Sequence, residues 1–182
     1  MSSSVCVFCG ARSGHRAAYR DAARAVGAML ADEGWRLVYG AGDVGLMGDC
    51  ARAAQTAGGA TFGVIPRHLV SSERGKADLT HLVVTETMHE RKKIMFMNSD
   101  AILVMPGGAG TLDELLEILT WRQLGLHEKP VFLLDIGGYW GPLLQLLDHV
   151  ISEGFAPPDL RDFLTVLPDV PDLRMALRDA LG

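Results

Sequence analysis

The chain has 182 residues, of which 48% are hydrophobic and 21% are charged, and its formal net charge is −5 at pH 7. This length suits one compact domain over residues 1–182, and the composition excludes an intrinsically disordered chain. Because the balance is acidic and there is no basic tail, nonspecific binding to nucleic acid is not expected.

The first ten residues, MSSSVCVFCG, lack the basic segment of a secretory signal and lead directly into an apolar, strand-like run. No apolar run approaches the roughly 20 residues that a membrane-spanning helix needs. We therefore expect a cytoplasmic protein that has no membrane partner.

Seven apolar runs of strand length occur along the chain, and most are apolar on both alternating faces, as in strands covered on both sides. They lie at 5–9, 35–40, 60–66, 81–85, 101–106, 130–135 and 163–167. Segments of helical periodicity lie at 15–34, 46–59, 88–99, 111–125, 139–154 and 170–181. This alternation predicts an α/β fold that is Rossmann-like and doubly wound, with a mostly parallel sheet of about seven strands and helices on both faces.

Cys6 and Cys9 form a C-x-x-C pair in the first strand-like run. Three positions apart in an extended strand, their backbones would be about 10 Å apart and their side chains would face opposite ways. A disulfide needs Cα atoms within about 7 Å. We expect two buried thiols rather than a redox pair.

The run GAGDVG, from Gly40 to Gly45, has the spacing G-x-G-x-x-G of a dinucleotide-binding turn. It follows the second strand rather than the first, and the region about 20 residues further on, VIPRH, offers no acid to hold a ribose. Three interpretations stay open here: an NAD(P) site, a contact to a nucleoside monophosphate, and a tight strand-to-helix turn.

The run MHERKK, residues 88–93, places Arg91 and Lys92 near the start of a helix that follows the carboxyl end of a strand. Arg91 can bind an anion or a ribose diol through two hydrogen bonds. A charged run of this kind can also be a solvated helix face, with His89 as a surface residue. The six histidines show no metal-ligand spacing, so no metal is expected.

The run PGGAGTLDE, residues 106–114, follows a buried-looking strand and precedes an amphipathic helix. Gly107, Gly108 and Gly110 leave room for an anion to approach the N–H groups at the helix start, and Thr111 adds a hydroxyl donor. No lysine follows the last glycine, as it would in a Walker A loop, which argues against phosphoryl transfer from ATP.

The same run also matches a capping box, T-x-x-E, with Thr111 at the N-cap and Glu114 reaching back to it. From this stretch alone, a capped helix and a catalytic carboxylate are equally supported for Glu114.

Taken in order, MHERKK, PGGAGTLDELLEILTW and GLHEKPV closely resemble the LONELY GUY (LOG) family of cytokinin riboside 5′-monophosphate phosphoribohydrolases, which are often described as lysine decarboxylases. The family signature, P-G-G-x-G-T-x-x-E, is matched from Pro106 to Glu114. The segments VCVFCGARSG, YGAGDVGLMG, GVIPRHL and GYW extend the resemblance over nearly the whole chain. This chain has Ala41 where many members have glycine.

The resemblance implies a homodimer with active sites near the subunit interface, which hydrolyses a nucleoside 5′-monophosphate to free base and ribose 5-phosphate. It implies no metal or organic cofactor. It places the catalytic pair on Arg91 and Glu114. The substrate-binding positions fall on Glu73, Met88, Lys92, Gly107, Gly108, Gly110, Thr111, Asp113 and Thr120.

Three other functions are weighed against this one. Related Rossmann-like proteins carry the molybdenum cofactor or bind nucleotides without hydrolysing them, so a non-catalytic carrier is the main alternative. An NAD(P)-dependent oxidoreductase would use the glycine run at 40–45. A decarboxylase is disfavoured, because no lysine has a recognisable pyridoxal-phosphate context.

Overall fold

The computed structural model describes residues 2–70 and 78–182. The seven strands in these ranges are β1 (Ser4–Phe8), β2 (Arg36–Tyr39), β3 (Thr61–Pro66), β4 (His81–Thr85), β5 (Ala101–Val104), β6 (Val131–Leu134) and β7 (Thr165–Leu167). They form one sheet in the order β4-β3-β2-β1-β5-β6-β7, and every neighbouring pair is parallel. The predicted doubly wound parallel sheet is confirmed.

Six α-helices lie in the described ranges, together with short 3₁₀ turns after β3, after β6 and before β7. The helices are α1 (Ala17–Asp32), α2 (Gly45–Thr56), α3 (Met88–Met97), α4 (Ala109–Gln123), α5 (Gly141–Ser152) and α6 (Val170–Leu181). Every predicted element is present, and the largest difference in bounds is the end of the second helix, predicted at 59 and observed at Thr56. None of the described helices has the length and apolarity to cross a membrane. That residues 1–182 form one domain stays a prediction.

The helices cover both faces of the sheet, and β1 shows how the core is divided between them. Val5 and Val7 pack with α1, α2 and α6, whereas Cys6 and Phe8 pack with α3, α4 and α5. This alternation follows from the two-residue period of a strand whose two faces are both buried.

The C-x-x-C pair consists of two buried thiols, as expected. Cys6 and Cys9 are free, and they belong to the cores on opposite faces of the sheet. Burial raises the pKa of both thiols well above the ordinary value, so both stay protonated near neutral pH.

The chain reverses its direction of winding between β1 and β5, which are neighbours in the sheet although β1 ends at Phe8 and β5 begins only at Ala101. The loops that leave these two strands begin side by side: the N–H of Met105 donates to Phe8, and that of Gly10 donates to Pro106 at 3.1 Å. Beyond these bonds the loops diverge to opposite faces and leave a crevice, where ligands of open parallel sheets bind.

Candidate active site

A cavity of about 540 Å³ opens at this crevice. Its wall is formed by the loops after β1, β2 and β5, by residues of α2, α3 and α4, by the 3₁₀ turn after β3 and by the loop before α5. Among the described residues, its charged members are Arg12, Arg91 and Glu114, and most of the others are apolar or glycine. Such a wall suits a ligand that has a charged end and an apolar body.

The glycine turn and the start of α4 form one side of the cavity. Gly107, Gly108, Gly110 and Thr111 all line it, and a Cβ atom at Gly108 or Gly110 would meet open space. No side chain caps the first turn of α4 in the described structure. Uncapped N–H groups and the positive end of the helix dipole therefore face a cavity, which is the arrangement that binds phosphates.

Of the two interpretations left open for Thr111 and Glu114, the capping box is wrong. Helix α4 begins at Ala109 with Gly108 at the N-cap, so Thr111 lies inside the first turn. Its side chain is buried because it packs under Gly107, where an added Cβ would lie only 2.6 Å from the Thr111 Cβ. The glycines let the helix start two residues early, and Glu114 is left at the cavity wall.

The capping box of this region lies instead at the start of α3. The N–H of Glu90 donates to the Thr87 hydroxyl at 3.2 Å, and the N–H of Thr87 donates to the Glu90 carboxylate at 3.1 Å. This reciprocal pair fixes the first turn of α3, from which Met88 and Arg91 reach the cavity.

Arg91 is buried, so the solvated-face interpretation of MHERKK is wrong for it. Its Nε donates to the carbonyl of Val64 at 3.1 Å, and its Nη2 donates to the carbonyl of Gly40 at 2.6 Å. These two bonds hold the guanidinium at the carboxyl ends of β2 and β3. His89 and Lys93 occupy the exposed side of the same helix.

The glycine run at 40–45 packs against cavity residues. A Cβ atom at Gly40 would lie 2.8 Å from the Cζ of Arg91, and one at Gly45 would overlap the carbonyl of Ala11. Gly45 has a φ of +58°, and so does the buried Ala41, a conformation that favours glycine. A tight turn that seats Arg91 and the loop after β1 accounts for Gly40 and Gly45.

The charges of Glu114 and Arg91 both act on Cys6, in the middle of β1. Burial is the main reason that the pKa of Cys6 is raised; the negative charge of Glu114 raises it further, and the positive charge of Arg91 lowers it.

Lys92 and Asp113 lie outside the cavity wall and join the two helices that carry the candidate pair. The Nζ of the buried Lys92 contacts Asp113 and Glu117, each at 3.0 Å. Burial by itself would lower the pKa of Lys92, but the hydrogen bonds to these carboxylates outweigh it and hold the pKa above its ordinary value. Since Lys92 follows Arg91 and Asp113 precedes Glu114, this bridge fixes how the candidate pair faces the cavity.

Besides Lys92 and Asp113, Thr120 is a predicted substrate-binding residue that the described structure does not bring to this cavity wall. Thr120 is exposed on α4, and its hydroxyl donates to the carbonyl of Leu116 at 2.7 Å. Glu73 lies outside the described residues. The remaining predicted residues, which are Met88, Arg91, Gly107, Gly108, Gly110, Thr111 and Glu114, share one cavity wall.

Tyr139 and Arg12 line the cavity although the sequence prediction gave neither of them a role. Tyr139 donates its hydroxyl to the carbonyl of Gly107, and its ring packs edge-on against Tyr19. Arg12 lies in the loop after β1. The sequence does contain a signal for Arg12 as a site residue: a basic side chain follows the carboxyl end of a strand, and ligands bind at this edge of a parallel sheet.

The fold and this site define a Rossmann-like protein in which the start of a helix faces a cavity at the switch point of its sheet. Residues 47–177 match the family model described as "Possible lysine decarboxylase". A probable cytokinin riboside 5′-monophosphate phosphoribohydrolase of Oryza sativa subsp. japonica is 45% identical over 169 residues, which cover 93% of this chain and 76% of the relative. A cytokinin riboside 5′-monophosphate phosphoribohydrolase of Arabidopsis thaliana is 41% identical over 175 residues, which cover 96% of this chain and 82% of the relative. The chain belongs to the LOG family.

Solved structures with the same fold are more distant in sequence. The molybdenum cofactor binding protein of Rippkaea orientalis aligns with a TM-score of 0.75 over 100% of this chain and 99% of its own, at 22% identity. The Moco Carrier Protein of Chlamydomonas reinhardtii aligns with a TM-score of 0.75 over 100% and 98%, at 23% identity. At this identity the likeness shows the fold alone.

Proposed function

We propose that this protein hydrolyses the N-glycosidic bond of nucleoside 5′-monophosphates, of the AMP and cytokinin riboside type, and releases the free base and ribose 5-phosphate. The proposal rests on one observation: a single cavity joins the anion-binding start of α4 to a carboxylate, Glu114, and a buried cation, Arg91. The 41% and 45% identity to phosphoribohydrolases over nearly the whole chain supports it.

The substrate is held by its 5′-phosphate at the start of α4. The N–H groups of the glycine turn and the Thr111 hydroxyl donate to the phosphate oxygens, and the helix dipole favours the negative charge. The apolar wall, which includes Leu46, Met47 and Met88, covers the base and an apolar substituent on it.

Glu114 carries the chemistry. As the bond from C1′ to the base nitrogen breaks, its electron pair leaves with the base and the sugar becomes an oxocarbenium-like cation, which a carboxylate stabilises. Water then bonds to C1′; one of its protons goes to Glu114 and from there to solvent or to the departing base. The carboxylate lies within the first two turns of α4, close to where the phosphate is bound.

Arg91 is a fixed cation in the cavity floor. Because two of its N–H groups are bonded to backbone carbonyls, it is already oriented before the substrate arrives. A positive charge on the same wall favours the ionised form of Glu114 and gives the ribose hydroxyls or the phosphate a donor. Binding energy from the remote phosphate can then be used to hold C1′ against the carboxylate.

A homodimer with its sites near the interface is part of this proposal. Leu116, Thr120 and Leu124 follow one another at four-residue spacing, so they share one side of α4, and both leucines are exposed. Leu126 adds exposed apolar surface just after α4, and Met97 is exposed at the end of α3. A second copy on this side would cover these residues and bring Thr120 to a site. Light scattering of the purified chain tests it, since a mass equal to one chain would exclude a stable dimer. The cytoplasm is the proposed location.

The activity is tested by incubating the protein with AMP and with isopentenyladenosine 5′-monophosphate and following free base by chromatography. Both monophosphates should release base, whereas the riboside and the triphosphate should react poorly because the site is built around one terminal phosphate. A carrier protein would bind without releasing any base. If neither monophosphate yields base while the protein is folded, the proposed hydrolysis is wrong.

A further inference from the structure

Arg12 is the one charged member of the described cavity wall to which neither the family signature nor the proposed mechanism gives a role. Its side chain is exposed at the cavity, in the loop that leaves β1. Within residues 2–70 and 78–182, no hydrogen bond or ion pair engages it. An arginine with unused donors beside an anion site is a candidate ligand for that anion.

The backbone of Arg12 is held next to the glycine turn of α4. A Cβ atom at Gly10 would lie 2.8 Å from the carbonyl oxygen of Arg12 and 3.3 Å from the Cα of Gly107. Gly10 therefore lies directly between the backbones of Arg12 and Gly107. The N–H of Gly10 also donates to the carbonyl of Pro106 at 3.1 Å. The loop after β1 and the glycine turn are therefore joined where the phosphate would bind.

The start of α2 holds Arg12 from the other side. A Cβ atom at Gly45 would lie 2.5 Å from the backbone nitrogen of Arg12, and the N–H of Leu46 donates to the carbonyl of Gly10 at 3.0 Å. Residue 12 is thus fixed between the amino-terminal ends of α2 and α4, both of which reach the cavity. Its long side chain remains able to move towards a ligand.

The charge of the cavity requires a cation of this kind. A phosphate monoester carries about −1.5 to −2 charges at pH 7, while a helix start supplies only about half a positive charge. Arg91 donates to the carbonyls of Gly40 and Val64, and Glu114 adds a negative charge to the same wall. In the described structure, Arg12 is the lining cation whose guanidinium is not bonded to the protein.

We propose that Arg12, held beside the glycine turn, binds the 5′-phosphate of the substrate. This inference rests on the proposed function, because it needs a phosphorylated ligand at the start of α4. The planar guanidinium can donate two parallel hydrogen bonds to phosphate oxygens. Since this contact lies away from C1′, it acts on the bound substrate and on the transition state alike, and its loss raises KM more than it lowers kcat.

The experiment compares wild-type protein with Arg12→Ala, Arg12→Lys and the control Arg24→Gln. Arg24 lies on α1 outside the cavity, and its partner Asp49 retains Arg20 and Arg52, so the control removes one positive charge without touching the site. Base release is measured with AMP and with adenosine. Binding of ribose 5-phosphate, which needs no turnover, is measured by calorimetry.

With Arg12→Ala, we expect a rise of roughly 10- to 100-fold in KM for AMP, which is the usual worth of a hydrogen bond to a charged group. kcat should stay within about threefold, since uniform binding is lost. Ribose 5-phosphate should bind more weakly by a similar factor, Arg12→Lys should recover part of the loss, and adenosine turnover should not change further.

Two results would overturn the assignment: an unchanged KM for AMP in Arg12→Ala, or equal affinity of wild type and Arg12→Ala for ribose 5-phosphate. If wild type releases no base but binds ribose 5-phosphate in an Arg12-dependent way, the hydrolysis is wrong and the phosphate contact stands. A wild-type chain that neither reacts with AMP nor binds ribose 5-phosphate would overturn both.

Discussion

Gly40→Ala should inactivate the protein by displacing Arg91. The new Cβ would lie 2.8 Å from the Cζ and 3.2 Å from the Nε of Arg91, and closer still to Nη2. The buried guanidinium cannot step aside without breaking its bonds to the carbonyls of Gly40 and Val64.

The size of the effect follows from these two bonds. Each hydrogen bond to a charged group is worth about 1.5–3 kcal/mol, so loss of both lowers the free energy of unfolding by about 3–6 kcal/mol. At about 2–4 °C per kcal/mol for a chain of this size, Tm should fall by at least roughly 6 °C. A guanidinium displaced by about 1 Å should reduce kcat about 100-fold.

The assay is urea denaturation together with steady-state release of adenine from AMP, measured well below the unfolding transition. Gly141→Ala is the matched control, because a Cβ at Gly141 meets open space and should leave both quantities unchanged. In the Arg91→Ala background the clash is gone, so Gly40→Ala should then lower the free energy of unfolding much less than it does in the wild type. If Gly40→Ala keeps full activity and full stability, the proposed seating of Arg91 is wrong.

Three further changes test other parts of the structure. Glu114→Gln should nearly abolish base release and change the free energy of unfolding by less than about 1 kcal/mol, because this residue does not cap α4; full turnover, or a large loss in urea denaturation, would refute it. Ala41→Gly should leave stability within about 1 kcal/mol, because relief of the φ of +58° offsets the added freedom of the unfolded chain, whereas the control Ala51→Gly inside α2 should lower it by about 1 kcal/mol or more; equal losses in denaturation would contradict the strain. His127 has its pKa lowered mainly by burial, with Nε2 donating to Ile118 and Nδ1 accepting from Lys129, so the unfolded state takes up the proton first. Stability should therefore fall as pH drops below about 6.5, the unfolded pKa, and a pH series of unfolding midpoints in which His127→Gln shows the same slope would refute this.

The sheet was predictable because each strand of a parallel sheet must be apolar on both faces, and such runs are visible in the sequence. The segments of helical periodicity between these runs predict crossover helices. Because such crossovers are right-handed, few sheet topologies are compatible with the sequence. The placement of Cys6 and Cys9 on opposite faces of the sheet also followed from the two-residue period of a strand. The location of the site at the carboxyl ends of the strands followed from the same topology.

The start of α4 was not predictable, because the letters T-x-x-E satisfy a capping rule that concerns only local hydrogen bonds. Contact between Gly107 and Thr111 moved the helix start to Ala109 and left Glu114 at the cavity. Thr87 and Glu90 have the same T-x-x-E spacing and do form a capping box, so the letters alone do not separate a helix cap from a cavity carboxylate.

The sequence by itself determined the order of strands and helices and the glycine turn after β5. It also determined the family resemblance, which singles out Arg91 and Glu114 as a candidate catalytic pair. Only the tertiary structure decided what each charge does. Arg91 is buried because Gly40 and Val64, far from it in the chain, present their carbonyls to it. The backbone of Arg12 lies between two helix starts, where three glycines leave room for it, and no side chain among the described residues pairs with its guanidinium. Sequence patterns show the local periodicity of strands and helices. Which group a charged side chain pairs with depends on residues that are distant in the chain and come together only when the sheet has formed.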